Sequence, residues 1–142
     1  MIRMRPLLVM IGVLLGLALP AAAGDLVVRV EGVRNADGFV RALVFSSEKG
    51  FPEEVKLATA AAEARAKAGV VTLRFKDLKV KRGAIIVIHD ANNDRKLQKN
   101  LLGIPREGVG ASNWNKAGRP KFKNAVINFA GGKAVTVKLK YF

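Results

Sequence analysis

The chain is expected to fold as an all-β domain, an antiparallel two-sheet sandwich of about seven strands in the broad immunoglobulin-like class, behind an N-terminal export signal. Three observations carry this expectation. Short runs alternate between apolar and charged residues, the period that turns one face of an extended chain toward a core. Asp-Gly, Gly-Gly and Lys-Arg-Gly sequences punctuate those runs at turn spacing. Cysteine is absent, so a hydrophobic core, alone or with an ion, must hold the fold without disulfides.

At the start, Arg3 and Arg5 precede an apolar run over residues 7–19, broken only by Gly12, Gly16 and Ala18, and then Pro20, Ala21, Ala22 and Ala23. A basic head, an apolar stretch too short to span a bilayer comfortably and a small-residue cleavage site make a signal peptide. Residues 1–23 are therefore expected to be removed, leaving residues 24–142 as one domain with no transmembrane segment, working in the periplasm or outside the cell. Losing Arg3 and Arg5 lowers the formal charge of +14 by only two. A domain this basic is drawn to anionic envelope material. Its charges are nevertheless spread over every segment with no block of like charges, which favours a solvated lysine-rich surface.

The mature region begins with Leu26, Val28, Val30 and Val33 interleaved with Arg29 and Glu31, then an Asp37-Gly38 turn, then the β-branched and aromatic run 39–45. This predicts a hairpin. Residues 46–52 form a polar loop whose Phe51 should dock on the core. Residues 57–68 have a helical composition, yet Ala62, Ala64, Ala66 and Ala68 alternate with Glu63, Arg65 and Lys67. Only an extended chain puts those charges on one face, so the segment is read as a strand, preceded by a helical turn near 53–58 and paired in a second hairpin with residues 70–75. Residues 84–88 are apolar on both faces, as in a strand covered on both sides. Residues 125–130 and 134–139 flank Gly131-Gly132 and predict a closing hairpin.

Between them, residues 90–124 carry little periodicity and are rich in Asn, Gly, Lys and Pro. A loop of that length in a compact domain points to function. Asp90, Asn92 and Asp94 stand at alternate positions, as the first ligands of a calcium loop do. The places where such a loop needs glycine and its last acid hold Arg95 and Leu101, with Gln98 between, so a Ca²⁺ site competes with a plain turn held by Asx side chains.

These residues also carry a resemblance. Val30-Glu31-Gly32-Val33-Arg34-Asn35 with Asp37-Gly38, Phe45-Ser46-Ser47-Glu48-Lys49-Gly50-Phe51-Pro52 and Phe75-Lys76-Asp77-Leu78 belong to it, as does His89-Asp90 through Leu101-Leu102-Gly103-Ile104-Pro105. Gly110-Ala111-Ser112-Asn113 and Gly118-Arg119-Pro120-Lys121-Phe122 complete it. Together they make the chain similar to the bacterial domain-of-unknown-function family numbered 2141. The resemblance implies an exported β-sandwich of the transthyretin or carboxypeptidase-regulatory kind with no established activity. It also implies an acidic, glycine-containing calcium-type turn, from which this chain departs.

His89 is the only histidine. With Asp90 or Ser112 it could serve as a general base in a hydrolase, although nothing like a nucleophile elbow surrounds Ser112. The alternative is a strand-end histidine that pins the long loop. Trp114, with Asn113, Arg119 and Lys121, could stack on a ring while the cations hold an anionic group, or could fold back over the core. Three readings follow: a non-catalytic periplasmic binding or accessory module using residues 89–124, with His89, Asp90, Asn113, Trp114, Arg119 and Lys121 as contact candidates; a hydrolase using His89; or an envelope interaction protein pairing through a sheet edge. The partner would be an anionic envelope component or a protein. The lysine-rich strand 134–140 argues against easy edge pairing. No nucleotide, cofactor or nucleic-acid motif is present in the sequence.

Overall fold

The computed structural model describes residues 24–115, 117–132 and 134–142. The export signal expected over residues 1–23 lies outside them. Eight strands are arranged in chain order as β1 Leu26–Val33, β2 Phe39–Phe45, β3 Ala60–Arg65, β4 Gly69–Phe75, β5 Arg82–Asp90, β6 Gly108–Ala111, β7 Val126–Asn128 and β8 Ala134–Lys138. A 3₁₀ turn, Val55–Leu57, and a single helical turn α1, Phe122–Ala125, are the helical elements among the described residues. None is long and apolar enough to cross a membrane.

The strands form two sheets, ordered β4-β1-β8 and β3-β2-β5-β6, with β7 pairing β5 beyond the end of β6. Alternation does the work in the first. Leu26, Val28 and Val30 of β1, Val71, Leu73 and Phe75 of β4 and Val137 of β8 turn inward, while Arg29, Thr72 and Arg74 face water. From the second sheet Val40, Ala42, Val44, Ile85 and Val87 complete the core, with Ala60, Ala62 and Ala64 packed against it.

The extended reading of residues 57–68 holds over Ala60–Arg65, and the 3₁₀ turn Val55–Leu57 sits where a helical turn was expected. The pairings differ from expectation. All three predicted hairpins are arches that cross between the sheets. β1 pairs β4 and β8 rather than β2, β3 pairs β2 rather than β4, and β7 pairs β5 while β8 runs parallel to β1. The expected two-sheet sandwich is present, with eight strands and one parallel pairing, β1 with β8, among antiparallel ones. An alternating run says which side chains go inward, and a short turn says the chain reverses. Neither says whether the return strand hydrogen-bonds beside its predecessor or packs across the core from it.

The second sheet is buried on both faces, which explains the two-sided apolar character of β5. Its outer face holds Leu43, Phe45, Ile86, Ile88, Val109 and Ala111, covered by Phe51, Ala58, Leu97, Trp114 and Phe122. Phe51 docks as expected, edge-on to Phe45 at 5.5 Å and to Phe122 at 5.6 Å between ring centroids. The segment 90–124 is therefore not one open loop. It supplies β6 in its middle and a roof on either side. The outer edge strands carry Glu63 and Arg65 on β3 and Lys138 on β8, which resist strand addition.

Candidate functional site

His89 and Asp90 end β5 on opposite faces, so adjacent residues do different work. His89 follows Ile85 and Val87 inward and is 2% exposed. Its Nε2 lies 2.8 Å from the Asp37 carbonyl oxygen, an acceptor only, which assigns the proton to Nε2 and leaves Nδ1 to accept from the Tyr141 hydroxyl at 2.8 Å. The same hydroxyl accepts from the Arg34 backbone N–H at 2.9 Å. Burial raises the Tyr141 phenol above its ordinary value, keeping it a donor. Both nitrogens of the histidine are thus engaged, tying the β1–β2 arch and the C-terminus to β5.

Ser112 is equally occupied. It accepts from the Ile85 N–H at 2.9 Å and donates to the Ala125 carbonyl at 2.5 Å, while buried. Ile85 and His89 are four residues apart on one strand, about 13 Å. Ser112 and His89 therefore do not form a nucleophile and its base.

Asp90 faces outward under the roof and is 1% exposed. Its Oδ1 accepts from the Asp94 N–H at 3.1 Å and its Oδ2 from the Arg95 N–H at 2.9 Å, and Arg41 adds an ion pair to Oδ2. Arg41 also reaches Glu63 on β3 at 2.8 Å and the Asn93 side chain at 2.7 Å. Asn92 Oδ1 accepts from the Asp94 N–H at 3.2 Å and Asp94 Oδ1 from the Lys96 N–H at 2.9 Å, so the Asx turn anticipated from the sequence is present. The Lys96 N–H above all, then the Asn92 and Gln98 side-chain amides that donate to it, hold the Asp94 carboxyl below its ordinary value. Glu63 is lowered too, chiefly by Arg41.

Glu107, the residue just before β6, was not anticipated. It is buried, its Oε2 has no hydrogen-bond partner among the described residues, and one of its carboxylate oxygens lies within 4.8 Å of oxygens of both Asp90 and Asp94. Burial first, then the charges of Asp90 and Asp94, push its carboxyl up to about 7 from 4.5, against the opposing pull of the Gln98 N–H and Arg41. The sequence did hold a signal: Glu107 is the only acidic residue after Asp94. Arg41 and Tyr141 were also missed, the first being the one charge inside the apolar run 39–45 and the second the only tyrosine.

A pH dependence follows. Between pH 4.5 and about 7 the native state holds a proton on Glu107 that the unfolded chain releases, so stability falls as pH rises through that window and levels off above it. The full shift corresponds to about 3 kcal/mol, and partial solvent screening trims it to about 2 kcal/mol. Urea unfolding of the metal-free protein should thus show a lower midpoint at pH 7.5 than at pH 5, and Glu107→Gln should remove most of the difference. An unchanged pH slope in that variant would assign it to other groups.

Asn113, Trp114, Arg119 and Lys121 do come together. They line one groove of about 610 Å³, to which Lys123 also contributes and which His89 and Asp90 do not reach. On its other side a groove of about 560 Å³ is walled by Ile86, Leu97, Ile104, Pro105 and Val109, with Trp114, Arg119 and Pro120 common to both. The Trp114 indole N–H donates to the Gly118 carbonyl at 3.0 Å, and Lys140 Nζ sits 4.1 Å from the ring centroid. Trp114 therefore covers the outer cluster and presents an edge, its face already under a cation. Lys99 and Arg119 both pair with Glu53, two cations on one carboxylate. Leu101 and Leu102 at the loop tip are fully and largely exposed.

The family model described as "Uncharacterized protein conserved in bacteria (DUF2141)" matches residues 28–138. No curated protein and no solved structure matches the chain.

Proposed function

The chain belongs to the DUF2141 family of bacterial proteins, and on that premise we propose that it is an exported, non-catalytic binding module whose ligand is a single anionic amphiphile. The observation that carries this reading is the shared wall. Trp114, Arg119 and Pro120 separate an apolar groove from one edged by Arg119, Lys121 and Lys123, so one molecule can lay an acyl chain in the first and an anionic head in the second. The cavity sizes are those of small-molecule sites rather than flat membrane contacts. The strongly positive net charge, +14 for the whole chain and two less without Arg3 and Arg5, and the surplus cation beside Glu53 favour an anionic head over a zwitterionic one. The satisfied His89 and Ser112 favour binding over hydrolysis.

Fluorescence of the single tryptophan is the test. Lysophosphatidylglycerol, added below its micelle-forming concentration, should change Trp114 emission saturably, and lysophosphatidylcholine should bind about tenfold more weakly. Arg119→Ala with Lys121→Ala should erase that preference without lowering the melting temperature, since both residues are exposed, and Ile104→Asp should abolish binding. Absence of any saturable change, equal affinity for both lipids, or binding only to intact vesicles would defeat the proposal.

A further inference from the structure

We propose that Asp90, Asp94 and Glu107 form a weak divalent-cation site whose fitting ion is Ca²⁺. Each residue offers a carboxylate oxygen, and the three lie within 4.8 Å of one another. Oxygens bound to one calcium at about 2.4 Å can stand no more than about 4.8 Å apart, so the set fits a single ion. An acidic cluster alone would not carry this. The second observation is Glu107, 9% exposed, with Oε2 lacking any partner among the described residues and its carboxylate turned toward the two aspartates. A carboxylate oxygen held under the roof without a donor is costly, and a cation is the partner that removes the cost.

The donor chemistry selects the ion. All three ligand atoms are hard carboxylate oxygens, and His89, the one imidazole, points into the core on the opposite face of β5. That disfavours zinc and copper. Calcium accepts an irregular, protein-rich shell, whereas magnesium requires near-octahedral geometry and keeps its waters. Residues 90–101 taken alone lack the closing acid of a calcium loop, since Gln98 and Leu101 stand where ligands belong. The third carboxylate comes instead from Glu107, just before β6 and outside that loop. Arg41 already rests on Asp90, so affinity should fall in the weak range of extracellular modules, about 10⁻⁴ to 10⁻³ M. None of the three residues lines either lipid groove, so this site stands or falls independently of the proposed ligand.

The experiment is calorimetric titration of calcium chloride into chelator-stripped protein, with thermal melting at constant ionic strength. Saturable heat is expected, with a rise in Tm of about 5 °C when calcium exceeds its dissociation constant tenfold. Both responses should be lost in Glu107→Gln and in Asp94→Asn. If Glu107→Gln does not fold, Asp94→Asn, at a half-buried position in the loop, decides. No heat, a melting shift equal to that from sodium chloride, or a response retained in both variants would overturn the site. An equal response to magnesium would overturn the choice of ion.

Discussion

Arg41→Met is expected to lower stability by about 4 kcal/mol, because it leaves the Asp90 carboxylate buried with its ion pair gone. The side chains of Arg41 and Asp90 are 13% and 2% exposed, so water cannot replace the guanidinium. Arg41 is also the centre of a row that crosses three strands. It sits opposite Glu63 of β3 in register, reaches Asp90 at the end of β5, and holds Asn93 of the following turn. Methionine keeps the length of the stem but none of these bonds. The loss should therefore appear both as a lower urea midpoint and as faster hydrogen exchange at the N–H groups of Asp94 and Arg95, which Asp90 accepts.

A double-mutant cycle separates the ion pair from lost packing. Asp90→Asn alone removes the charge and one of the two turn acceptors. Added to Arg41→Met, it should cost less than it does alone, by at least about 1 kcal/mol of coupling. Strict additivity would mean that Arg41 acts through its contacts with the outer face rather than through the Asp90 charge.

Some of this arrangement was legible in the sequence, and the boundary has a physical cause. Alternation at Ala62, Glu63, Ala64 and Arg65 outweighed a helical composition because burial of one face, not propensity, decides a marginal segment. The two-sided apolar run of β5 announced a strand covered on both faces. The site residues were legible only in part. Asn113, Trp114, Arg119 and Lys121 are near in sequence and remain near in space, whereas Asp90 meets Arg41 and Glu107 through pairings of β5 with β2 and β6 that no local pattern encodes. His89 was visible as the lone histidine, and its partner Tyr141 stands 52 residues away. Strand register is a global property, so a cluster assembled across strands stays hidden until the arches are known.

Gly38 shows the same distinction within one residue, and Gly38→Ala is expected to destabilise the domain by about 4 kcal/mol. The Asp37-Gly38 pair reads as a hairpin turn, yet it closes an arch and packs against the end of β5. Gly38 has φ +64, and a methyl group there would collide with the Asp90 carbonyl oxygen and come within 2.7 Å of that of Ala91. These are backbone atoms and cannot rotate away. Relief would require the arch to lift, which would break the bond from His89 to the Asp37 carbonyl and the one from the Ala66 N–H to the Gly38 carbonyl. Gly69→Ala is the control. Gly69 also has positive φ, at +98, but a methyl group there meets nothing within 4 Å, so conformational strain alone applies, about 1 kcal/mol. Urea unfolding of the two variants thus measures close packing of the arch apart from backbone strain. Equal losses would show that the arch yields freely, and that the contact between the β1–β2 turn and the end of β5 contributes little to holding His89 and Asp90 in place.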